Sequence, residues 1–302
     1  MLDAHQLNVF IVAAETLNFT ETAKRLHMTQ PSISQHIKAI EKNFGCKLFA
    51  RNGRHLELTD AGNTLLPLAR EMVNQSILIQ ETMESLKGEV YGHLLVGCST
   101  TPGKYVLPHL LARFHEQYPQ VSISCDVTNQ EIALERLCSG SVHIILTSKN
   151  QEECKDARIR HFIDDPVVMI VPSSHPWAHL DEVEPKDLLK ERFILRETSS
   201  GTYRAVDTVL NSLGYSVEEL EALLTLGNSE AIALAVQEGL GIGFVSSLVV
   251  NKLNLANVKA VGIKDVKIVQ NIYMGYQTHR PASAAQVAFW KFAQSIDTDQ
   301  LV

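Results

Sequence analysis

Near Gly92 the hydrophobic pattern of this 302-residue chain changes period, and that switch limits the folds open to it. Upstream, apolar residues recur at helical spacing: Leu7, Phe10, Ile11, Ala14 and Leu17, then Ile33, Ile37, Ile40 and Phe44. Leu65, Met72, Ile79 and Leu86 follow at intervals of seven, with Ala69, Ser76 and Met83 at a second position, the pattern either of a coiled-coil seam or of one amphipathic helix lying on its own domain. Downstream, short apolar runs alternate with helical stretches. Strands are expected at His93–Gly97, Val121–Val127, His143–Leu146, Pro166–Pro172, Phe193–Leu195, Leu223–Leu226, Ile242–Val245 and Lys267–Tyr276. Helices are expected at Tyr105–Tyr118, Ile132–Cys138, Tyr203–Leu213, Glu230–Glu238 and Ala284–Ser295. This rhythm predicts an α/β protein with doubly wound subdomains behind a helical N-terminal module.

In the first sixty residues, one helix spans about 5–17, and a second is expected to start with Thr20 as its cap and Glu21 in its first turn. After the turn His27-Met28-Thr29, a third helix begins near Gln30-Pro31, capped by Thr29 or Gln30, with proline where its missing N–H costs nothing. Two helices joined by a tight turn, with a polar and basic outer face on the second, describe a helix-turn-helix. Short donors and acceptors suit a helix entering the major groove. Gln30, Ser32, Ser34 and Gln35 meet that need for base edges, and Lys38 and Lys42 suit phosphates. Asn52-Gly53 marks a tight turn between Leu48-Phe49 and Leu56-Glu57-Leu58, a β wing carrying Arg51 and Arg54.

Charge separates along the chain in the same way. The whole sequence has 27 basic and 34 acidic residues and a net charge of −7. Lys24 to Arg54 holds seven bases and one acid, a net +6, so the remainder carries −13. A basic DNA-facing module on an acidic body fits that asymmetry. The alternative is a small-molecule-binding or enzymatic α/β protein with an appended helical domain, which has no need of a +6 window.

Asn18-Phe19-Thr20, Ala23-Lys24-Arg25-Leu26-His27, Thr29-Gln30-Pro31-Ser32-Ile33-Ser34, Ile37, Ile40-Glu41, Gly45, Leu48-Phe49-Ala50-Arg51 and Leu58-Thr59-Asp60-Ala61-Gly62 resemble the winged helix-turn-helix of LysR-type transcriptional regulators. The resemblance is dense over residues 2–62. It implies DNA contacts at Gln30, Pro31, Ser34, Gln35 and Arg54. This chain has Gln35-His36 where the family often has an arginine after the serine. The expected DNA-binding set is Thr29, Gln30, Pro31, Ser32, Ser34, Gln35, Lys38, Arg51 and Arg54.

The expected organisation is a DNA-binding domain over 1–59, a linker helix over 60–88 capped by Thr59-Asp60, and an effector-binding domain over 89–302. The resemblance makes the linker helix (60–87) a dimerisation element. The operator is then an interrupted inverted repeat. It also implies a tetramer, and RNA polymerase joins DNA and the effector as a partner. The effector domain is expected to form two lobes resembling periplasmic binding proteins, about 92–163 with 268–296, and 164–267.

In such folds ligands bind at the carboxyl ends of strands, between the lobes. The clusters Cys98-Ser99-Thr100-Thr101-Pro102-Gly103 and Glu197-Thr198-Ser199-Ser200-Gly201-Thr202 both fall at strand-to-helix turns, where hydroxyls and free N–H groups suit an anion. The expected effector site is Ser99, Thr100, Thr101, Thr128, Thr147, Ser199, Ser200 and Thr202. Gly239-Leu240-Gly241-Ile242-Gly243-Phe244 is a third place where backbone approaches closely, read as structural. Arg196 and Arg204 flank the second cluster, where they would either complement a negative ligand or, as is commoner, serve as surface ion-pair partners.

There is no HExxH, GxSxG or GxxxxGK[ST] motif, so no enzyme, cofactor or metal is expected. The longest stretch without acidic or basic residues, Pro166 to Leu180, is interrupted by prolines, and a spanning helix needs about 20 apolar residues. With no export signal at the N-terminus, a cytoplasmic protein is expected. The five cysteines, Cys46, Cys98, Cys125, Cys138 and Cys154, form no CxxC pair and read as reduced, mostly buried thiols. Cys98 beside the cleft is either a sensing thiol or a small apolar residue.

Overall fold

A computed structural model describes residues 2–52, 55–86, 88–149, 154, 156–298 and 301. Two compact units emerge, Met1–Tyr91 and Gly92–Val302.

In the first unit α1 (Ala4–Thr16) is capped by Asp3 and buries Leu7, Val9, Phe10, Ile11 and Ala13; Leu17 is exposed as a left-handed C-cap. The cap of α2 (Phe19–Arg25) is Asn18, not Thr20. Asn18 has the extended backbone a cap needs, and its Oδ1 accepts from the backbone N–H groups of Thr20 and Glu21. Thr29 caps α3 (Gln30–Phe44), which buries Ile33, Ile37, Ile40 and Glu41. Phe44, expected in that stripe, is exposed. Glu41 is buried instead because its carboxylate accepts from the Leu48 backbone N–H at 3.0 Å and pairs with Lys47 at 2.7 Å, which anchors the entry to the wing. The wing strands β1 (Phe49–Asn52) and β2 (His55–Leu58) pair antiparallel, Asn52 opposite His55. Arg54 lies outside the described residues.

Thr59 caps α4 (Asp60–Ser85) through the Gly62 N–H and also donates to the Lys47 carbonyl at 2.6 Å. Gly62 is required there, since a Cβ would run into the Leu48 carbonyl. The first half of α4 packs Leu65, Leu66, Ala69 and Val73 on the core of this unit. Further along, Met72, Ile79, Met83 and Leu86 are exposed.

The second unit is one mixed sheet, in the spatial order β4-β3-β5-β12-β6-β10-β8-β9. Its strands are β3 (Gly92–Ser99), β4 (Val121–Thr128), β5 (Ile144–Thr147), β6 (Ala157–Pro172), β7 (Glu182–Val183), β8 (Arg192–Arg196), β9 (Glu221–Leu226), β10 (Ile242–Ser246), β11 (Val258–Ile263) and β12 (Ile268–Gln277). Helices α5 (Leu107–Gln117), α6 (Gln130–Ser139), α7 (Gly201–Ser212), α8 (Ser229–Gln237), α9 (Ser247–Leu253) and α10 (Ala284–Ser295) cover it. A π-helical turn, Pro102–Val106, precedes α5.

β3, β4 and β5 are parallel, as are β8, β9 and β10. The long strands β6 and β12 run antiparallel between these two sets and join them. This is a two-lobed α/β fold with two crossovers. The tail returns to the first lobe, where β12 pairs with β5 and Phe289 of α10 meets Phe114 of α5 edge to face at 5.0 Å. β6 begins at Ala157, nine residues before the expected Pro166. The Gly239–Phe244 run is structural: Gly239 takes a left-handed turn after α8, and a Cβ on Gly243 would strike Ile232.

Candidate functional site

Two surfaces gather the expected site residues. On α3, Gln30, Pro31, Gln35 and Lys38 are exposed, with Ser32 and Ser34 half-buried beside them. The face opposite is the buried Ile33, Ile37 and Ile40. Thr29 oxygen accepts from the Ser32 N–H, so its acceptor is committed to the cap. Gln30 and Arg51 line one concavity with Asn18, Thr20 and His55. Thr20 and His55 were missed in the sequence, because a threonine inside a short helix and a histidine in a strand carry no local signal. His36, on the flank of α3, meets His5 of α1 edge to face with ring centres 5.2 Å apart.

In the second unit a narrow cleft lies between the lobes. Ser99, Thr100, Thr101, Ser199, Ser200 and Thr202 all line it, so the two hydroxyl clusters face one another. Thr128 and Thr147 are absent from the lining. Thr128 turns its hydroxyl onto the Asn129 carbonyl, and Thr147 is fully buried at the end of β5, accepting from the Lys149 N–H. Their neighbours Asn129, Gln130 and Ser148 take those places, with Gln270 of β12 beneath. The cap signature Asn129-Gln130 was the available clue.

Helix starts converge on this cleft. Asn129 caps α6 with its side chain, but Ser200 at the start of α7 makes no side-chain cap bond. Ser99 Oγ is buried without a hydrogen-bond partner among the described residues. Arg196 is not on the surface. Its side chain is 4% exposed, and it donates to both oxygens of Glu197, to Ser229 Oγ and to the Gly227 carbonyl. Burial raises the Glu197 pKa, but Arg196 outweighs this and holds the carboxyl below its usual range. The cleft thus offers neutral hydroxyls and helix-start N–H groups, its one guanidinium being already paired. Arg204 is half-buried in the first turn of α7, with Nη2 lacking a partner.

Contacts bridge the lobes at the cleft. Gln130 Nε2 donates to the Ser199 carbonyl, and Gln130 Oε1 accepts from Ser148 at 3.1 Å. Thr202 donates to Gln270 Oε1 at 2.9 Å. At the rim, Tyr105 Oη and Lys104 Nζ of the π-helical turn both reach Glu230 Oε1 of α8 at 2.9 Å. Burial pushes the Glu230 carboxyl up, but Lys104 and the other donors outweigh it and hold the pKa low. Glu230→Gln removes the charge that Lys104 meets, a contribution of about 1 kcal/mol after solvent screening. Amide exchange at Glu197–Thr202 in the full chain is expected to rise about fivefold. Exchange unchanged at that remote turn would show that this contact does not hold the lobes together.

Comparison with known proteins agrees with this architecture. Residues 4–63 match the family model described as bacterial regulatory helix-turn-helix protein, lysR family. Residues 87–296 match the LysR substrate binding domain. The HTH-type transcriptional activator CmpR of Synechocystis is 33% identical over 289 residues, covering 94% of this chain and 92% of CmpR. A crystal structure of full-length CbnR complexed with target DNA superposes with a TM-score of 0.70 at 21% identity, over 97% of this chain and 99% of that one. The Synechocystis CcmR regulatory domain in complex with 2-PG superposes with a TM-score of 0.61 at 27% identity, over 67% of this chain and 96% of that domain.

A winged helix-turn-helix joined to a two-lobed ligand-binding fold defines a DNA-binding transcriptional regulator with an effector domain, not an enzyme. The chain belongs to the LysR family.

Proposed function

We propose that this regulator reads an interrupted inverted repeat through Gln30, Pro31, Ser32, Ser34 and Gln35, with Lys38 and Arg51 on phosphates, and senses a small anion in the cleft between its lobes. The observation that carries the sensor reading is Ser99 Oγ, buried and without a partner among the described residues, facing across the cleft Ser200, whose side chain makes no cap bond. A buried hydroxyl without a partner costs free energy unless a ligand supplies one. Helix starts nearby favour negative charge. Thermal-shift measurements on the full chain with phosphate, sulfate, acetate and 2-PG should raise Tm with at least one of them. Ser99→Ala with Ser200→Ala should abolish that rise. No shift with any probe, or a shift that survives both substitutions, removes the cleft from the proposal.

The α4 stripe supports pairing of two copies. Met72, Ile79 and Leu86 are seven residues apart, Met83 lies beside Ile79, and all four are exposed within one protomer. A seam of this kind is covered by a second helix in a coiled-coil pair. Ile79→Glu with Met83→Glu is expected to yield a monomer by sedimentation velocity, with loss of operator binding. A dimer that persists would move the pairing surface elsewhere. The sheet-edge strand β9, with Leu223 and Leu224 exposed beside Leu234 and Leu240, offers a second surface for a tetramer. On this reading the protein acts on DNA in the cytoplasm, with RNA polymerase as its downstream partner. No helix among the described residues is long and apolar enough to cross a membrane.

A further inference from the structure

Among the described cysteines only Cys98 is buried; Cys46 and Cys125 are exposed, and Cys138 and Cys154 lie half-buried. Most were expected inside; Cys125 is exposed because it sits on the edge strand β4, which among the described residues pairs with β3 alone. Cys98 Sγ and Cys125 Sγ stand 3.4 Å apart. The two residues project from adjacent parallel strands on the same face, diagonally, since Cys125 is opposite Val96 and Cys98 opposite Val127.

We propose that Cys98 and Cys125 form a dithiol–disulfide couple oxidised by a hydroperoxide. The division of labour follows from exposure. Cys125 is open to a small oxidant, whereas Cys98 is fully buried behind it. Cys98 donates its S–H toward Cys125, which lowers the Cys125 pKa and raises that of Cys98. The Cys125 thiolate attacks one peroxide oxygen, the O–O bond breaks, and hydroxide leaves with Cys125 as a sulfenic acid. Cys98 sulfur then attacks the sulfenic sulfur. The S–S bond forms, the S–OH bond breaks, and the Cys98 proton leaves with the departing hydroxide as water. Two thiols and one hydrogen peroxide give one disulfide and two waters, the sulfurs supplying both electrons.

Closing the bond brings the sulfurs from 3.4 Å to about 2.05 Å. A diagonal pair is near the long end of what a disulfide spans, so β4 must slip along β3 by about an ångström. β4 is free on its outer side and leads directly into Asn129 and Gln130. The π-helical turn packs on Cys98 itself and on Val127 of β4, because a Cβ on Gly103 would lie 2.6 Å from Cys98 Sγ and 3.0 Å from Val127. Oxidation therefore bears on two parts of the rim, Asn129–Gln130 and Lys104–Tyr105. That consequence rests on the reading of the cleft as the effector site, and the disulfide itself does not.

The test uses the reduced full-length protein and hydrogen peroxide. Expected is the loss of two hydrogen masses per chain, with a cross-linked peptide pair containing Cys98 and Cys125 that dithiothreitol separates. Cys125→Ser should remove the cross-link. Cys98→Ala should leave Cys125 trapped as a sulfenic acid that reacts with dimedone. Over-oxidation of Cys125 in the wild type without a cross-link, a disulfide among the other cysteines only, or no reaction overturns the couple. Because Cys98 is buried and its variant can misfold, Cys125→Ser, on the exposed side, carries the test alone if needed. In the oxidised protein, amide exchange at Asn129–Ile132 should rise relative to Cys125→Ser treated alike; equal exchange overturns the link to the cleft.

Discussion

Gln35→Ala together with Arg51→Ala should cut affinity for the regulator's own upstream DNA by two orders of magnitude or more, through two separable effects. Gln35 lies on the exposed side of α3, opposite the buried Ile33, Ile37 and Ile40. Loss of a bidentate base contact there costs about 1–3 kcal/mol and relaxes sequence preference at one position of each half-site. Arg51 is exposed on β1 in the concavity shared with Gln30. Its loss should weaken binding to all sequences alike and reduce the slope of log K against log salt by about one per protomer. Fluorescence anisotropy at several salt concentrations separates the two. Both residues are exposed, so folding is spared. A double variant that binds a palindromic site as tightly as the parent would place the DNA face elsewhere.

The second large effect concerns Asp165, at the middle of the crossover strand β6. It is fully buried opposite Gln270 of β12. Ser246 Oγ donates to its Oδ1 at 2.6 Å, and Oδ2 has no partner among the described residues. Burial pushes its pKa up to about 7, against the Ser246 hydrogen bond, which lowers it. The sign follows from linkage. In the unfolded chain the group ionises near its usual value, but in the folded chain it keeps its proton to about 7. The folded state therefore loses stability as pH rises between those two values, by roughly 4 kcal/mol at most, and no further above. Asp165→Asn cannot ionise, so its stability relative to wild type should climb from about pH 4 to about pH 7 and then level off. The amide also leaves donors unpaired, a pH-independent cost of about 1–3 kcal/mol. The diagnostic is the pH dependence of the difference in Tm, not its sign at one pH. A difference that is flat across this range would mean that Asp165 ionises normally in the folded protein.

Where helical period and cap chemistry agreed, the sequence was readable. Ala284–Ser295 was expected residue for residue, and its Ser283 cap is a full capping box. α3 and α4 likewise begin at Thr29 and Thr59. Reading failed where tertiary needs overrode local pattern. Nothing in the local pattern marked Glu41 as buried, yet it is buried to hold Leu48 and Lys47. The first half of β6 carries Arg158, Arg160, His161 and Asp164, so no strand was expected before Pro166; it is a strand because β12 supplies its partner. α9 and β11 were overlooked because each is too short to show a period. In the cleft, both serine–threonine turns were legible as strand-to-helix junctions. Asn129 and Ser148 were legible as the neighbours of Thr128 and Thr147 at strand ends; Gln130 and Gln270 were not, since only tertiary packing brings them to the cleft.

The nesting of one lobe inside the other sets the order in which the effector unit can be completed during synthesis. Every strand of the second lobe, β7, β8, β9, β10 and β11 with the end of β6, has been synthesised by Ile263. The first lobe begins at Gly92 but still lacks β12, which flanks β5, and α10, whose Phe289 meets Phe114. Its opening strands must wait about 175 residues for these partners, a long-range closure that is slow by its nature. The part of the unit made first is thus the last to be sealed. A chain released short of Gln277 would carry a finished second lobe and an open first one, exposing the apolar edge of β5 to other chains.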